Sequence, residues 1–128
     1  MPETIICELS VALGSGPRWS STRVIEVEAT DVIRITIAAG ASDRKVELQP
    51  GDAMQLLLIN PESPADTLSY ATSAGASSAH LLDQPHFLVG EGAIGLLGGS
   101  SAPTSLFFSN TGGEDAPVTI VIGRDATP

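Results

Sequence analysis

Val32-Ile33-Arg34-Ile35-Thr36-Ile37-Ala38 decides the fold class. Side chains alternate across an extended chain, so Ile33, Ile35 and Ile37 share one face while Arg34 and Thr36 share the other. On a helix the same residues would scatter around the cylinder, and their β-branched side chains would lose rotamer freedom. The stretch is predicted as a strand with its isoleucines inward.

The same period-2 pattern recurs on both sides of it. Towards the N-terminus, Ile5, Cys7, Leu9, Val11 and Leu13 are apolar at odd positions, with Glu8 and Ser10 on the opposite face. Gly14-Ser15-Gly16-Pro17 then ends that strand, because Gly and Pro break ladders and supply turn dihedrals. A second strand is predicted over about Arg23–Ala29. Towards the C-terminus, Ala39–Arg44 reads as a turn and Lys45–Leu48 as a short strand. Gln49-Pro50-Gly51-Asp52 is a tight turn, and Met54–Asn60 is apolar enough for a central strand covered on both faces. Pro61-Glu62-Ser63-Pro64 closes that strand, and Thr67–Thr72 is weaker, with Leu68 and Tyr70 on one side.

Ser73–Ala79 is almost pure Ser, Ala and Gly, and Gly90–Ser101 is a second glycine-rich connector. His80-Leu81-Leu82 reads as a short strand or a helical turn, and His86–Val89 as a strand. Ser105–Ser109 and Val118–Ile122 finish the chain, joined by a turn over Asn110–Ala116. Leu106 and Phe108 face one way in the first, and Val118, Ile120 and Ile122 share a face in the second. Short strands separated by turn signals, with no long helical period, specify an all-β protein. The expectation is a single antiparallel β-sandwich spanning residues 1–128, jelly-roll-like, with eight or nine short strands.

Composition narrows the function. The 128 residues carry six Lys and Arg against fifteen Asp and Glu, a formal charge of −9. So few cations leave little with which to build the basic face a nucleic-acid binder needs, so no nucleic-acid partner is expected. Charged residues are only 16% of the chain and mean hydropathy is +0.21. A free domain of this size usually keeps a more charged surface, so part of this one is expected to be covered by protein partners. Cys7 is the only cysteine, which excludes an intramolecular disulfide. No stretch approaches the roughly 20 apolar residues of a membrane helix, so no membrane partner is expected. Met1-Pro2-Glu3-Thr4 lacks the basic start and apolar run of a signal peptide, so synthesis in the cytoplasm is the expectation.

Candidate chemistry is sparse. His80, His86 and Glu91 would be the ligands of a small cupin-like metalloenzyme, but Pro85 interrupts the strand between the two histidines and no close pair exists. They read as surface or loop histidines. Glu26 and Glu28 on one strand face would lie roughly 6 to 7 Å apart, a separation that glycoside hydrolysis uses. A glycosidase cleft also needs aromatic walls, and aromatics are only 4% of the chain, so a solvated outer face is the simpler reading. No nucleophile elbow and no phosphate loop is present. Gly123-Arg124-Asp125 reads as a surface ion pair. Neither catalytic residues, a metal nor a cofactor is therefore expected. Trp19, beside Arg18 in the turn Gly16-Pro17-Arg18-Trp19, either plugs the end of the sandwich or anchors a partner, since tryptophan and arginine dominate interface hot spots.

Taken together, the size, the apolar strands Met54–Asn60 and Val118–Ile122, the connectors Ser73–Ala79 and Gly90–Ser101 and the lack of catalytic groups resemble the small β-sandwich decoration, or cement, proteins of tailed-bacteriophage heads. The resemblance implies a non-enzymatic virion protein on the capsid outer surface, bound to the major capsid protein and commonly a homotrimer. Apolar and small-residue surface would be buried at lattice junctions, and many weak contacts would add by multivalency. The alternative is a carbohydrate-binding or adhesin-like β-sandwich module, which would present exposed aromatics to sugar rings.

Overall fold

The computed structural model describes residues 3–48, 54–62, 67–72, 80–94, 97 and 105–124. The turn Gln49–Asp52, the connector Ser73–Ala79, residues 63 and 64 of the Pro61–Pro64 turn and most of the connector after Ile94 lie outside the described residues.

Among the described residues, ten strands and one single-turn helix follow one another: β1 (Glu3–Ala12), β2 (Arg18–Val27), β3 (Ala29–Ile37), β4 (Arg44–Glu47), β5 (Met54–Pro61), β6 (Leu68–Ala71), β7 (His80–Leu81), β8 (His86–Val89), α1 (Glu91–Ile94), β9 (Ser105–Asn110) and β10 (Ala116–Arg124). That is more than the eight or nine expected, because the two-residue β7 pairs as a strand and is no helical turn.

Eight of the strands form the sandwich, in two four-stranded antiparallel sheets ordered β3-β10-β5-β8 and β4-β9-β6-β7. The pairings nest. β3 lies beside β10, β4 beside β9, β5 beside β8 and β6 beside β7. The path is one long antiparallel ribbon rolled up so that alternate strand pairs fall into opposite sheets. This is a jelly roll, as expected from the sequence.

Alternation fills the space between the sheets. Ile37, Leu57, Ile59, Val118, Ile120 and Ile122 from one sheet meet Leu68, Tyr70, Leu106 and Phe108 from the other. Ile33 and Ile35 pack against that core, as their spacing predicted. One buried residue departs from simple alternation. The β5–β10 register slips between Gly123 and Arg124, leaving Gln55 as a bulged residue. A bulge shifts every residue beyond it to the other face, and so Met54 joins the core while Leu56 faces outward. Ile94 of α1 and Leu97 belong to the same core.

Asn110 is the one buried polar residue among those described. Its amide donates to Ile37 O at 3.1 Å and to Glu114 O at 2.8 Å, and its Oδ1 accepts from Gly112 N–H at 3.0 Å. It thereby satisfies the β9–β10 turn from inside.

The remaining two strands, β1 and β2, make a separate two-stranded antiparallel hairpin. Leu13 N–H donates to Pro17 O and Gly16 N–H donates to Leu13 O, which closes its tip; Gly14 there has a positive φ. After Val27 the chain bends at Glu28, whose N–H donates to Arg124 O, and then enters β3.

Candidate assembly surface

The base of the hairpin is seated on the outer face of the β3-β10-β5-β8 sheet. Cross-strand pairing puts Ile5 with Ile25, Cys7 with Arg23, Leu9 with Ser21 and Val11 with Trp19 on one face, the underside. Gly123 makes the seat possible. A Cβ at that position would stand 2.6 Å from Ile5 Cδ1 and 3.4 Å from both Val27 Cγ1 and Leu56 Cβ. Val27, Cys7 and Leu56 are all buried there. The expected two-sided burial of the Met54–Asn60 strand is thus present over its first half, with the hairpin as the second cover. Thr30 Oγ1–H donates to Glu3 Oε2 at 2.7 Å and pins the same end.

The cover then ends. Every residue from Glu8 to Val24 is exposed, although the apolar period of the strand continues. Leu9, Val11, Leu13 and Trp19 are each between 44% and 58% exposed, and on the upper face Ile6 and Val24 stand opposite each other at 64% and 65%. Of the nine large exposed apolar side chains among the described residues, six belong to this hairpin. Isolated exposed apolar residues are ordinary, but a contiguous patch is the mark of an interaction site.

Trp19 and Arg18 are not in a turn, as the Gly-Pro signal suggested, but are the first two residues of β2. The turn is shorter, and the strand starts directly after Pro17 because Val11 and Ala12 are available as ladder partners. Trp19 is 58% exposed and therefore plugs no end of the sandwich. The predicted start of the second strand at Arg23 was late for the same reason: Ser20, Ser21 and Thr22 carry no apolar alternation, yet they pair with Ser10, Leu9 and Glu8.

A groove of about 300 Å³ opens between the hairpin underside and the edge of the sheet. Cys7 and Leu9 roof it, Phe87 and Val89 of β8 and Ala93 of α1 form its floor, and Arg23 stands at its rim. Burial pushes the Cys7 thiol above its usual range. Phe87 is itself part of an apolar row that crosses the outer face of the sheet, Val32–Val121–Leu58–Phe87.

The histidines are brought together, although not as surface loop residues. His80 in β7 and His86 in β8 are half-buried, and both rings pack on Tyr70, with centroids 5.3 and 5.4 Å from it. His80 Nε2–H donates to Leu97 O at 3.2 Å, and His86 Nδ1 is bonded to Tyr70 Oη at 2.7 Å. Each ring thus spends one nitrogen on the fold. Among the described residues no group of three or more His, Cys, Asp or Glu is placed to hold a metal ion. Glu26 and Glu28 do not share a strand face, because the bend at Glu28 separates them. Arg124 forms its ion pair with Asp31, at 3.1 Å, across the β3–β10 ladder; Asp125 lies outside the described residues.

Comparison with protein-family models, with curated proteins and with solved structures finds no match. No helix among the described residues is long and apolar enough to cross a membrane. The jelly roll itself is shared by capsid proteins, lectins and cupins, and so does not choose among them.

Proposed function

We propose that this chain is a non-enzymatic structural protein of a virion, decorating the outside of a phage head and stabilising it through protein–protein contacts. The observation that carries the reading is the hairpin from Glu8 to Val24, exposed along its whole length, with Leu9, Val11 and Trp19 forming an uncovered apolar stripe on its underside. A side chain left in water gains nothing for a lone domain, whereas burying one at an interface yields roughly 1.5–3 kcal/mol. Repeated over a lattice, several such contacts per copy give stable attachment even when each is weak. The acidic balance, −9 overall, agrees with a place outside a container of nucleic acid, where no phosphate has to be neutralised.

Density-gradient fractionation of the native source, with peptide mass spectrometry on each fraction, tests the proposal. The expected result is that the chain travels with large nuclease-resistant particles, in fixed ratio to one abundant protein, the major capsid protein. Recovery only at its own small size, away from particles, overturns it.

A further inference from the structure

We infer that the hairpin docks on a second copy of this chain, with Trp19 of one copy entering the groove beneath the hairpin of the next. The inference rests on the assembly reading only in treating the hairpin as a protein-binding element, and names its partner.

Three observations select a second copy. The first is charge. Arg18 is the only charged residue between residues 9 and 22, so this segment carries +1 while the remainder of the chain carries −10. An apolar tip with one guanidinium is attracted to the strongly acidic remainder of a second copy, and that overall attraction steers their encounter. Arg adds the ability to bind carboxylates in bidentate fashion.

The second is fit. The groove holds about 300 Å³ and is mainly apolar, lined by Cys7, Leu9, Phe87, Val89 and Ala93, with Ser21 and Arg23 beside them. That is the low end of the range of ligand pockets, suited to a single ring system. Trp19 is the largest side chain exposed on the molecule and the only tryptophan in the chain. It stands one strand repeat, about 7 Å, beyond Leu9 and Ser21 on the same underside. It is not among the residues that line its own groove, which leaves that space open to the indole of a neighbour.

The third is the distribution of what is left. Of the three large exposed apolar side chains outside the hairpin among the described residues, Phe87 and Val32 end the apolar row that runs away from the groove over the sheet. A hairpin arriving at the groove from a neighbour therefore has further apolar surface alongside it. The contact is head-to-tail, because tip meets groove. Contacts of that type close into a ring where the rotation between copies permits and otherwise grow as an open filament.

The test uses the full chain in two variants, Trp19→Ala on the arm and Ala93→Arg in the groove floor, each checked for an unchanged circular dichroism spectrum and melting temperature. Sedimentation equilibrium of the unaltered protein is expected to show a concentration-dependent oligomer, with the Trp19 emission shifted to the blue in the associated form. Either variant weakens association at least about tenfold, and Ala93→Arg returns Trp19 to the emission of a solvated indole. Mixing the two variants restores one contact, from the Trp19 arm of the groove variant to the intact groove of the arm variant, and so yields a heterodimer that grows no further. An unaltered protein that is monomeric at every concentration overturns the inference, as does an oligomer that neither variant weakens. If that monomer still co-sediments with particles, the second-copy inference alone has failed; if it does not, the assembly reading fails with it.

Discussion

Tyr70 Oη lies 2.7 Å from His86 Nδ1, and this bond joins the two sheets of the sandwich. Tyr70 belongs to β6, in the sheet ordered β4-β9-β6-β7, whereas His86 belongs to β8, at the edge of the other. The contact between the sheets is mainly apolar, and this bond, like that from the Asn110 amide of β9 to Ile37 O of β3, fixes their relative placement as well as adding energy. Replacing Tyr70 with Phe keeps the ring packed on Phe108, 5.8 Å away between centroids, and removes only the bond. The expected cost is about 0.5–1.5 kcal/mol in a urea titration at neutral pH.

The same phenol makes a prediction at alkaline pH. Burial pushes Tyr70 up to about 12 from its ordinary value of 10.0. Between those values the folded chain holds a proton that the unfolded chain has released, so unfolding is favoured as pH rises. The contribution is intact below pH 10 and is lost progressively as the pH climbs from about 10 towards 12. Because Tyr70 is the only tyrosine, tyrosinate absorbance reports it directly: ionisation should track unfolding and should not precede it. In Tyr70→Phe the difference in stability between pH 9 and pH 11 becomes smaller than in the unaltered protein.

Asn110 gives a sharper loss. Asp at that position keeps the size and the acceptor for Gly112 N–H but cannot donate to Ile37 O or Glu114 O. It would bury a carboxylate facing two carbonyl oxygens. Asn110→Asp is expected to destabilise by about 3 kcal/mol or more at neutral pH, and to recover part of that as acid protonates the carboxyl. Melting temperatures at pH 7 and pH 4, compared with those of the unaltered protein, check both halves.

These positions also show where sequence reading succeeds and where it stops. Ile33, Ile35 and Ile37, or Leu106 and Phe108, announce their strands because local alternation and tertiary burial agree. The jelly roll follows from such strands in number and spacing. The hairpin defeats the same logic: the odd positions of β1 are as apolar as those of a core strand, yet of Ile5, Cys7, Leu9 and Val11 only the first two are covered. Periodicity reports that a face is apolar and cannot report what covers it. Ser20–Thr22 carries no period at all and is held in β2 only by partners that lie ten or more residues away. The Tyr70–His80–His86 cluster was invisible for a related reason, since three strands from two sheets assemble it. Trp19 beside Arg18 was the one legible sign of the exposed arm.

Gly123 is expected to govern how firmly the arm is seated. Ala at this position drives its Cβ against the mobile end of Ile5, which can turn aside, so little changes. Val adds branches that must also pass Val27 and Leu56, and the hairpin base has to lift. Cys7 lies directly below that base and is the only thiol. In the unaltered protein its reaction with a disulfide reagent should be slow, because the thiol is buried and its ionisation is pushed upward. Gly123→Val should speed the reaction about tenfold or more through local opening while the global melting transition moves far less. A reaction rate that rises only in step with global unfolding would show that arm and sandwich open as one unit.

Paired substitutions separate what the arm does from what the core does. Phe108 is fully buried between the sheets, and Phe108→Ala should cost about 3–5 kcal/mol through lost burial and the cavity left behind. Leu9 and Val11 are as apolar in sequence but more than two-fifths exposed. Leu9→Ser with Val11→Thr removes comparable hydrocarbon from the arm, yet should change the stability of the isolated chain by less than about 1 kcal/mol, as surface substitutions do. The two outcomes reverse in a particle-binding assay. The arm variant should remain folded in denaturant titrations and lose co-sedimentation with particles. A conservative core change such as Leu57→Met, which nearly conserves volume, should bind as the unaltered protein does. If the arm variant is destabilised as strongly as Phe108→Ala, the hairpin belongs to the folding core of the single chain and not to an interface.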